Sequence, residues 1–122
     1  VTTTTDLADR VQRARLAAVE SMTVLAGVSS ACAIARDGGS FPAYKFHEGR
    51  VTALSAVARE LRRGDPDLPA LATRLGEQWE AEVERRAGQS RDWQAYAAGG
   101  LDAVRELESW VAERMNSAPP EA

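Results

Sequence analysis

The 122-residue sequence holds one cysteine, one histidine and one lysine. A lone cysteine excludes an internal disulfide, and one cysteine with one histidine is too few for a zinc site built from those ligands. No glycine-rich phosphate loop of either common spacing occurs, no His-Glu-x-x-His, and no nucleophile elbow. Strand signals are nearly absent: there is no alternating apolar run and no hairpin dipeptide between apolar segments. Positive charge is not in excess, since 15 basic against 18 acidic side chains give a net charge of −3. That excludes a generally basic nucleic-acid binder. Leu16 to Ala35 is the one apolar stretch of spanning length, and Glu20 and its many small residues make it a poor membrane span. The first fifteen residues carry Asp6 and Asp9 and lack a cationic-then-apolar pattern, so no secretory signal is read there. These absences together lead us to expect a cytoplasmic protein with no metal, no cofactor, no nucleic-acid partner and no membrane anchor.

What remains is ordinary for a globular chain: 44% hydrophobic and 27% charged residues, in a length suited to one domain. Almost every basic residue is arginine and alanine is abundant, a bias expected of a GC-rich bacterial genome. Val1 in place of methionine fits a GTG start codon.

Four helical stretches separated by breakers account for nearly everything. The first is capped by Thr3 to Thr5 and steps through Leu7, Val11, Ala14, Ala18, Met22, Leu25, Val28 and Cys32, ending at Arg36-Asp37-Gly38-Gly39. At 1.5 Å per residue it would be about 45 Å long. Its second half is apolar on more than one face, which favours a central position or a dimer seam. Ser40-Phe41-Pro42 opens a second helix striped by Tyr44, His47, Val51, Leu54, Ala58 and Leu61. Asp67 and Pro69 open a third, which Gly88 closes, and Ser90 caps a fourth running to Met115. Gly99-Gly100 are expected to kink or split the fourth helix, since paired glycines cost about 2 kcal/mol relative to alanine in a helix interior. Residues 116–122 hold two prolines without periodicity and read as a disordered tail. The fold class expected is all-α: an antiparallel four-helix bundle over 1–122, self-associating as a homodimer through the long first helix.

Several patterns imitate function. Glu77, Glu80, Glu82 and Glu84 suggest a metal cluster, but their spacing spreads them round a helix and they read as a solvated acidic face. Leu71 to Gly76 resembles the start of a helix-turn-helix, yet Glu77-Gln78-Trp79-Glu80 follows where a turn and a basic recognition helix would be needed. Trp79, Trp93 and Trp110 are expected as core or interface anchors, and Cys32 as buried and inert.

The densest chemistry is Phe41-Pro-Ala-Tyr-Lys-Phe-His-Glu-Gly-Arg50, which gathers the only histidine, the only lysine and both phenylalanines. Helical spacing sets Tyr44, His47 and Glu48 on one side. His47 titrates near neutrality in its unperturbed form and suits general acid or base work. Arg50 offers a fixed positive charge for a carboxylate or a developing oxyanion, and Gly49 allows close approach. The plainer alternative is a packed histidine hydrogen-bonded to Glu48 or Tyr44.

In size, composition and segment order the chain resembles the small helical lysinoalanine synthases of cinnamycin- and duramycin-type lantibiotic biosynthesis in actinobacteria. The likeness rests on the threonine-rich start Val1-Thr-Thr-Thr-Thr-Asp-Leu, the alanine-rich first helix and the Phe41 to Arg50 block, not on a sharp motif. The resemblance implies a cofactor-independent homodimer that adds a peptide lysine amine across a dehydroalanine, an aza-Michael closure of the last ring of a lanthipeptide. It further implies that a hydroxylated aspartate of the substrate assists as base. On that reading His47 is the proton donor or acceptor, and Glu48 orients it or assists deprotonation. Tyr44 and Phe46 line the peptide site, while Arg50 binds the substrate carboxylate or the enolate oxygen. Arg74, on helix three, is a second candidate cation. The alternative is a non-enzymatic helical module that dimerises or binds another protein through its first helix. An enzyme should show a concave site near Tyr44 and His47; an interaction module should show a filled core there and an exposed apolar patch elsewhere.

Overall fold

The computed structural model describes residues 4–28 and 39–117 of the chain. These form four helices and no strand among the described residues: α1 (Thr4–Val28), α2 (Pro42–Arg62), α3 (Leu68–Arg86) and α4 (Arg91–Ser117). Residues 1–3, 29–38 and 118–122 lie outside this description, and with them Thr3 of the expected cap, the expected end of the first helix, most of the 116–122 tail and Cys32. As described, α1 has 25 residues, or about 37 Å of helix.

The helix starts follow local chemistry. Asp67 keeps an extended backbone and its carboxylate accepts from the Ala70 amide at 3.1 Å, closing the first turn of α3. Ser90 caps α4 through its hydroxyl, which accepts from the Trp93 amide at 3.4 Å. The start of α2 is capped from outside its own sequence. Phe41 holds the cap position with no side-chain bond of its own type, and Pro42 takes the first helical place. Asp92 of α4 supplies the missing acceptor: its Oδ1 takes the Phe41 amide at 2.8 Å and the Ser40 hydroxyl at 2.9 Å. Gly64, at φ 146°, makes the turn between α2 and α3, a backbone region that side-chain-bearing residues avoid.

The centre of the molecule is the pair α2 and α4, with α1 laid against α2 and α3 against α4. Contacts between α2 and α4 advance together along both chains, from Phe41 on Asp92 to Arg50 on Asp102 and Glu106, so the two helices run in the same direction. They touch backbone to backbone. A methyl on Gly49 would overlap the Tyr96 carbonyl, and one on Gly99 would overlap the Phe46 carbonyl. Gly100 gives up its side-chain space to the Trp79 ring of α3. The glycine pair therefore serves contact, and α4 runs through it unbroken.

A single cluster of buried side chains fills the interior, with Leu7 and Val11 from α1, Leu54 and Val57 from α2, Leu75 from α3 and Leu107 from α4 among its members. The first half of α1 is thus pinned to the core. Its second half departs from expectation, because Leu16, Val19 and Val24 are 52%, 43% and 57% exposed. The helix lies at the edge of the molecule rather than at its centre. Across α3 and α4, Arg105 reaches Glu80 and also Glu108 at 2.6 Å. Glu80 foremost, then Glu108, pushes its protonation range still higher. No helix among the described residues is long and apolar enough to cross a membrane.

Candidate functional site

The segment from Tyr44 to Arg50 is divided by the helix that carries it. His47 and Arg50 sit three residues apart on the face of α2 turned toward α1, where they line an open hollow of about 440 Å³. Ala14, Ala17, Ala18 and Ser21 of α1 form one wall. Their small side chains are what leave the space, since a larger residue at any of them would fill it. Glu106 and Trp110 of α4 close the far side, and Arg10 and Arg13 stand at one end.

Arg50 is committed within the protein. Its side chain is 13% exposed and its guanidinium holds Asp102 at 2.5 Å and Glu106 at 2.8 Å, so it ties α2 to α4 instead of offering an open cation. Arg10 is likewise engaged, bonding Glu113 at 2.8 Å and lying 5.9 Å from the centre of the Trp110 ring. These are interhelical clamps first.

His47 is only half-buried, and it is not bonded to Glu48. Its Nδ1 is enclosed with no hydrogen-bond partner among the described residues. Burying an unpaired acceptor lone pair costs less than burying an unpaired N–H. The neutral ring therefore carries its proton on Nε2, the nitrogen left accessible. Phe46 meets the imidazole edge-on, with ring centres 5.6 Å apart. That contact fixes the ring plane.

The remaining expected site residues lie elsewhere. The Glu48 carboxylate pairs with the Lys45 ammonium at 3.0 Å, so it neither orients His47 nor faces the hollow. Tyr44 belongs to a separate depression with Phe41, Lys45, Asp92 and Ala26. The expected grouping of Tyr44, His47 and Glu48 on one side thus gives way to a division. Residues three apart are neighbours, but a site between helices uses a narrower arc than a helix face does. Arg74 is 60% exposed on α3, 3.9 Å from Glu60, and lines none of this space.

Sequence reasoning missed the contribution of α1. Arg10, Arg13 and Ser21 face the hollow, and the small-residue spacing of Ala14, Ala17, Ala18 and Ser21 is the signal that marked them. Trp110, read only as an anchor, is a wall of the same space. A second aromatic group, Trp79, Tyr96 and Trp93, lies on the opposite side of the α2–α4 pair, with Lys45 and Arg86 stacked 5.0 Å and 4.7 Å from the Trp93 ring. Among the described residues no group of three or more histidine, cysteine, aspartate or glutamate side chains could hold a metal ion. Comparison with known protein families, with curated proteins and with solved structures gives no match for this chain.

Proposed function

We propose that the hollow between α1, α2 and α4 binds a peptide, and that the chain closes a lysinoalanine ring in a lanthipeptide held there. The observation that carries the peptide site is His47. The molecule's only imidazole stands in an open space of about 440 Å³, beside an indole and between arginines. Such a mixture of apolar wall and a few polar groups suits a peptide segment. The reaction itself is supplied by the family resemblance.

The chemistry asks little of the protein. The lysine amine adds to the β-carbon of dehydroalanine, a C–N bond forms, and the alkene electrons move onto the carbonyl as an enolate. The ammonium proton leaves to the hydroxylated aspartate of the peptide, and the α-carbon takes up a proton, so the product is an isomer of the substrate. Holding amine and alkene in contact lowers the barrier by several kcal/mol, of the order that well-oriented intramolecular reactions gain. The Nε2–H of His47 offers a hydrogen bond to the developing enolate oxygen. Trp110 supplies an apolar wall against which a bent peptide can pack.

Consecutive helices running antiparallel, and two copies pairing through α1, belong to the same proposal. The second reading, a non-enzymatic interaction module, draws on one specific observation: Leu16, Val19 and Val24 present an exposed apolar face on α1.

The test is incubation with a dehydrated, thioether-bridged and hydroxylated lanthipeptide of the cinnamycin type. Closure leaves the mass unchanged, so the product is challenged with excess small thiol, which adds to surviving dehydroalanine. Protein-dependent loss of thiol uptake, with a lysine-linked ring found on fragmentation, supports the synthase. Full thiol uptake by a folded protein and a competent substrate removes it and leaves the interaction module.

A further inference from the structure

The three arginines of the hollow are unequal. Arg50 is held by Asp102 and Glu106, and Arg10 by Glu113. Arg13 lines the same hollow with no ion pair or hydrogen bond to any described residue. Asp9 stands one helical turn before it, the spacing at which acid and base commonly pair on a helix, and no bond joins them. Arg13 is exposed, on a helix whose neighbouring arginines are engaged.

The charge lining the hollow favours an anion there: three guanidinium groups and one carboxylate, Glu106, face it, while Asp102 and Glu113, the other partners of Arg50 and Arg10, do not line it. Asp6 and Asp9 line a separate depression with Arg10 and Arg13. Across the space stands His47, which presents an N–H through Nε2. A guanidinium with open donors, lining a partly apolar hollow, presents the fork that a carboxylate takes, and the imidazole in the same lining reports its arrival.

We infer that Arg13 is the recognition point for a carboxylate in the hollow, the role that Arg50 is placed to fill by sequence and is prevented from filling by its own partners. The inference rests on the peptide-site reading in taking a peptide as the source of the carboxylate, but the anion site itself stands without the ring-closing reaction. Arg13 selects which acidic peptides enter, and the chemistry falls to groups further along the hollow.

Because His47 is the only histidine, its imidazole Cε1–H gives a single NMR resonance that reports on this space. The first probe is acetate, titrated at fixed pH against chloride of equal ionic strength. The site predicts a saturable shift of the His47 resonance with acetate and none with chloride. Arg13→Gln should remove the saturable response with helicity unchanged, and Arg13→Lys should weaken it by losing the forked geometry. No acetate response, or a response unaltered in Arg13→Gln, overturns the assignment. The second probe is the unclosed lanthipeptide, whose binding should weaken roughly tenfold or more in Arg13→Gln, the range of a charge-assisted hydrogen bond. Carboxamide at the peptide terminus or at its aspartate side chain then tells which carboxylate is bound: the one whose amidation gives the same loss. Loss at neither position overturns the peptide source. An acetate response without ring closure leaves the anion site and removes the synthase; ring closure without an acetate response does the reverse.

Discussion

Replacing Gly99 by alanine tests the central claim about the fold, that α2 and α4 meet through their backbones. The added methyl would lie 2.7 Å from the Phe46 carbonyl carbon and 3.1 Å from its Cα, and nearer still to the oxygen. Ordinary carbon contacts fall near 3.5–4.0 Å, so the crossing must open by on the order of 1 Å. A neighbouring side chain could rotate away, but here the obstacle is the main chain of another helix. Gaps of roughly 0.5–1 Å forfeit a quarter to a half of each contact's dispersion energy, and small seam residues such as Ala53 and Ala103 have no reach to compensate. Overpacking of this kind costs about 1–3 kcal/mol, and the backbone clash puts Gly99 at the top of that range. Alanine regains about 1 kcal/mol of helix propensity. The net expectation is a loss of about 2 kcal/mol, which lowers Tm by roughly 5–10 °C in a domain of this size. Thermal and urea unfolding followed by circular dichroism would measure it. Gly27 supplies the control, because nothing lies within 4 Å of its added methyl. Gly27→Ala should leave stability unchanged or raise it by up to about 1 kcal/mol. In the double variant Gly49→Ala with Gly99→Ala, the second substitution should cost less than it does alone, since one separation relieves both clashes. A Gly99→Ala protein at least as stable as the parent would refute the close crossing.

The other predictions follow from single bonds and faces. Asp92→Ala should cost about 1–2 kcal/mol by leaving the Phe41 amide and Ser40 hydroxyl without their acceptor, and hydrogen exchange should quicken first in the opening turn of α2. Asp92→Asn, which keeps an acceptor oxygen, should recover most of that loss. Arg50→Gln should destabilise by about 1–2 kcal/mol in urea unfolding, a modest figure because Asp102 and Glu106 are 56% and 42% exposed and water can take over their solvation. His47→Ala should lower ring-closing turnover by about tenfold or more while leaving helicity unchanged, through loss of the hydrogen bond to the enolate oxygen. Undiminished turnover would take His47 out of the mechanism. Val19→Glu should leave the monomer fold intact, since Val19 is 43% exposed, and should shift any dimer to monomer by light scattering if α1 is the seam.

Helix existence was plain in the sequence because each of the four stretches carries both an apolar period and a breaker at its end. Periodicity also marked Leu7, Val11 and Leu54 as core, and all are buried. It could not mark Gly49, Gly99 or Gly100, whose contribution is the absence of a side chain. Propensity arguments read a glycine pair as a weakness in a helix, whereas here it is the contact surface. The start of α2 falls where Ser40-Phe41-Pro42 put it, but its capping acceptor was not legible for a related reason: Asp92 is 51 residues from Phe41, and no local cap rule reaches that far. In the candidate site, helical spacing put Tyr44, His47 and Glu48 together, but it could not show that Glu48 turns to Lys45, that Tyr44 lies in a separate depression or that Arg50 is already bound. Pairing partners come from other helices, and a side chain's free valence is known only once they are in place.

The crossing and the candidate site are one structure. Gly49 rests on the Tyr96 carbonyl and the Phe46 carbonyl rests on Gly99, so the two backbone contacts bracket His47 along α2. Arg50, one turn on, is tied to α4 by two carboxylates. The turn that carries the imidazole is therefore held to α4 at three successive points, and the ring can move little relative to Glu106 and Trp110. The facing wall differs, because the α1 residues opposite are alanines and a serine, on a helix whose outer face is exposed. The geometry of the proposed peptide site therefore depends on the crossing through the wall that carries the imidazole. Opening the crossing with Gly99→Ala should then impair the proposed function beyond its effect on the folded fraction, whereas Gly27→Ala, on the helix of the facing wall, should not.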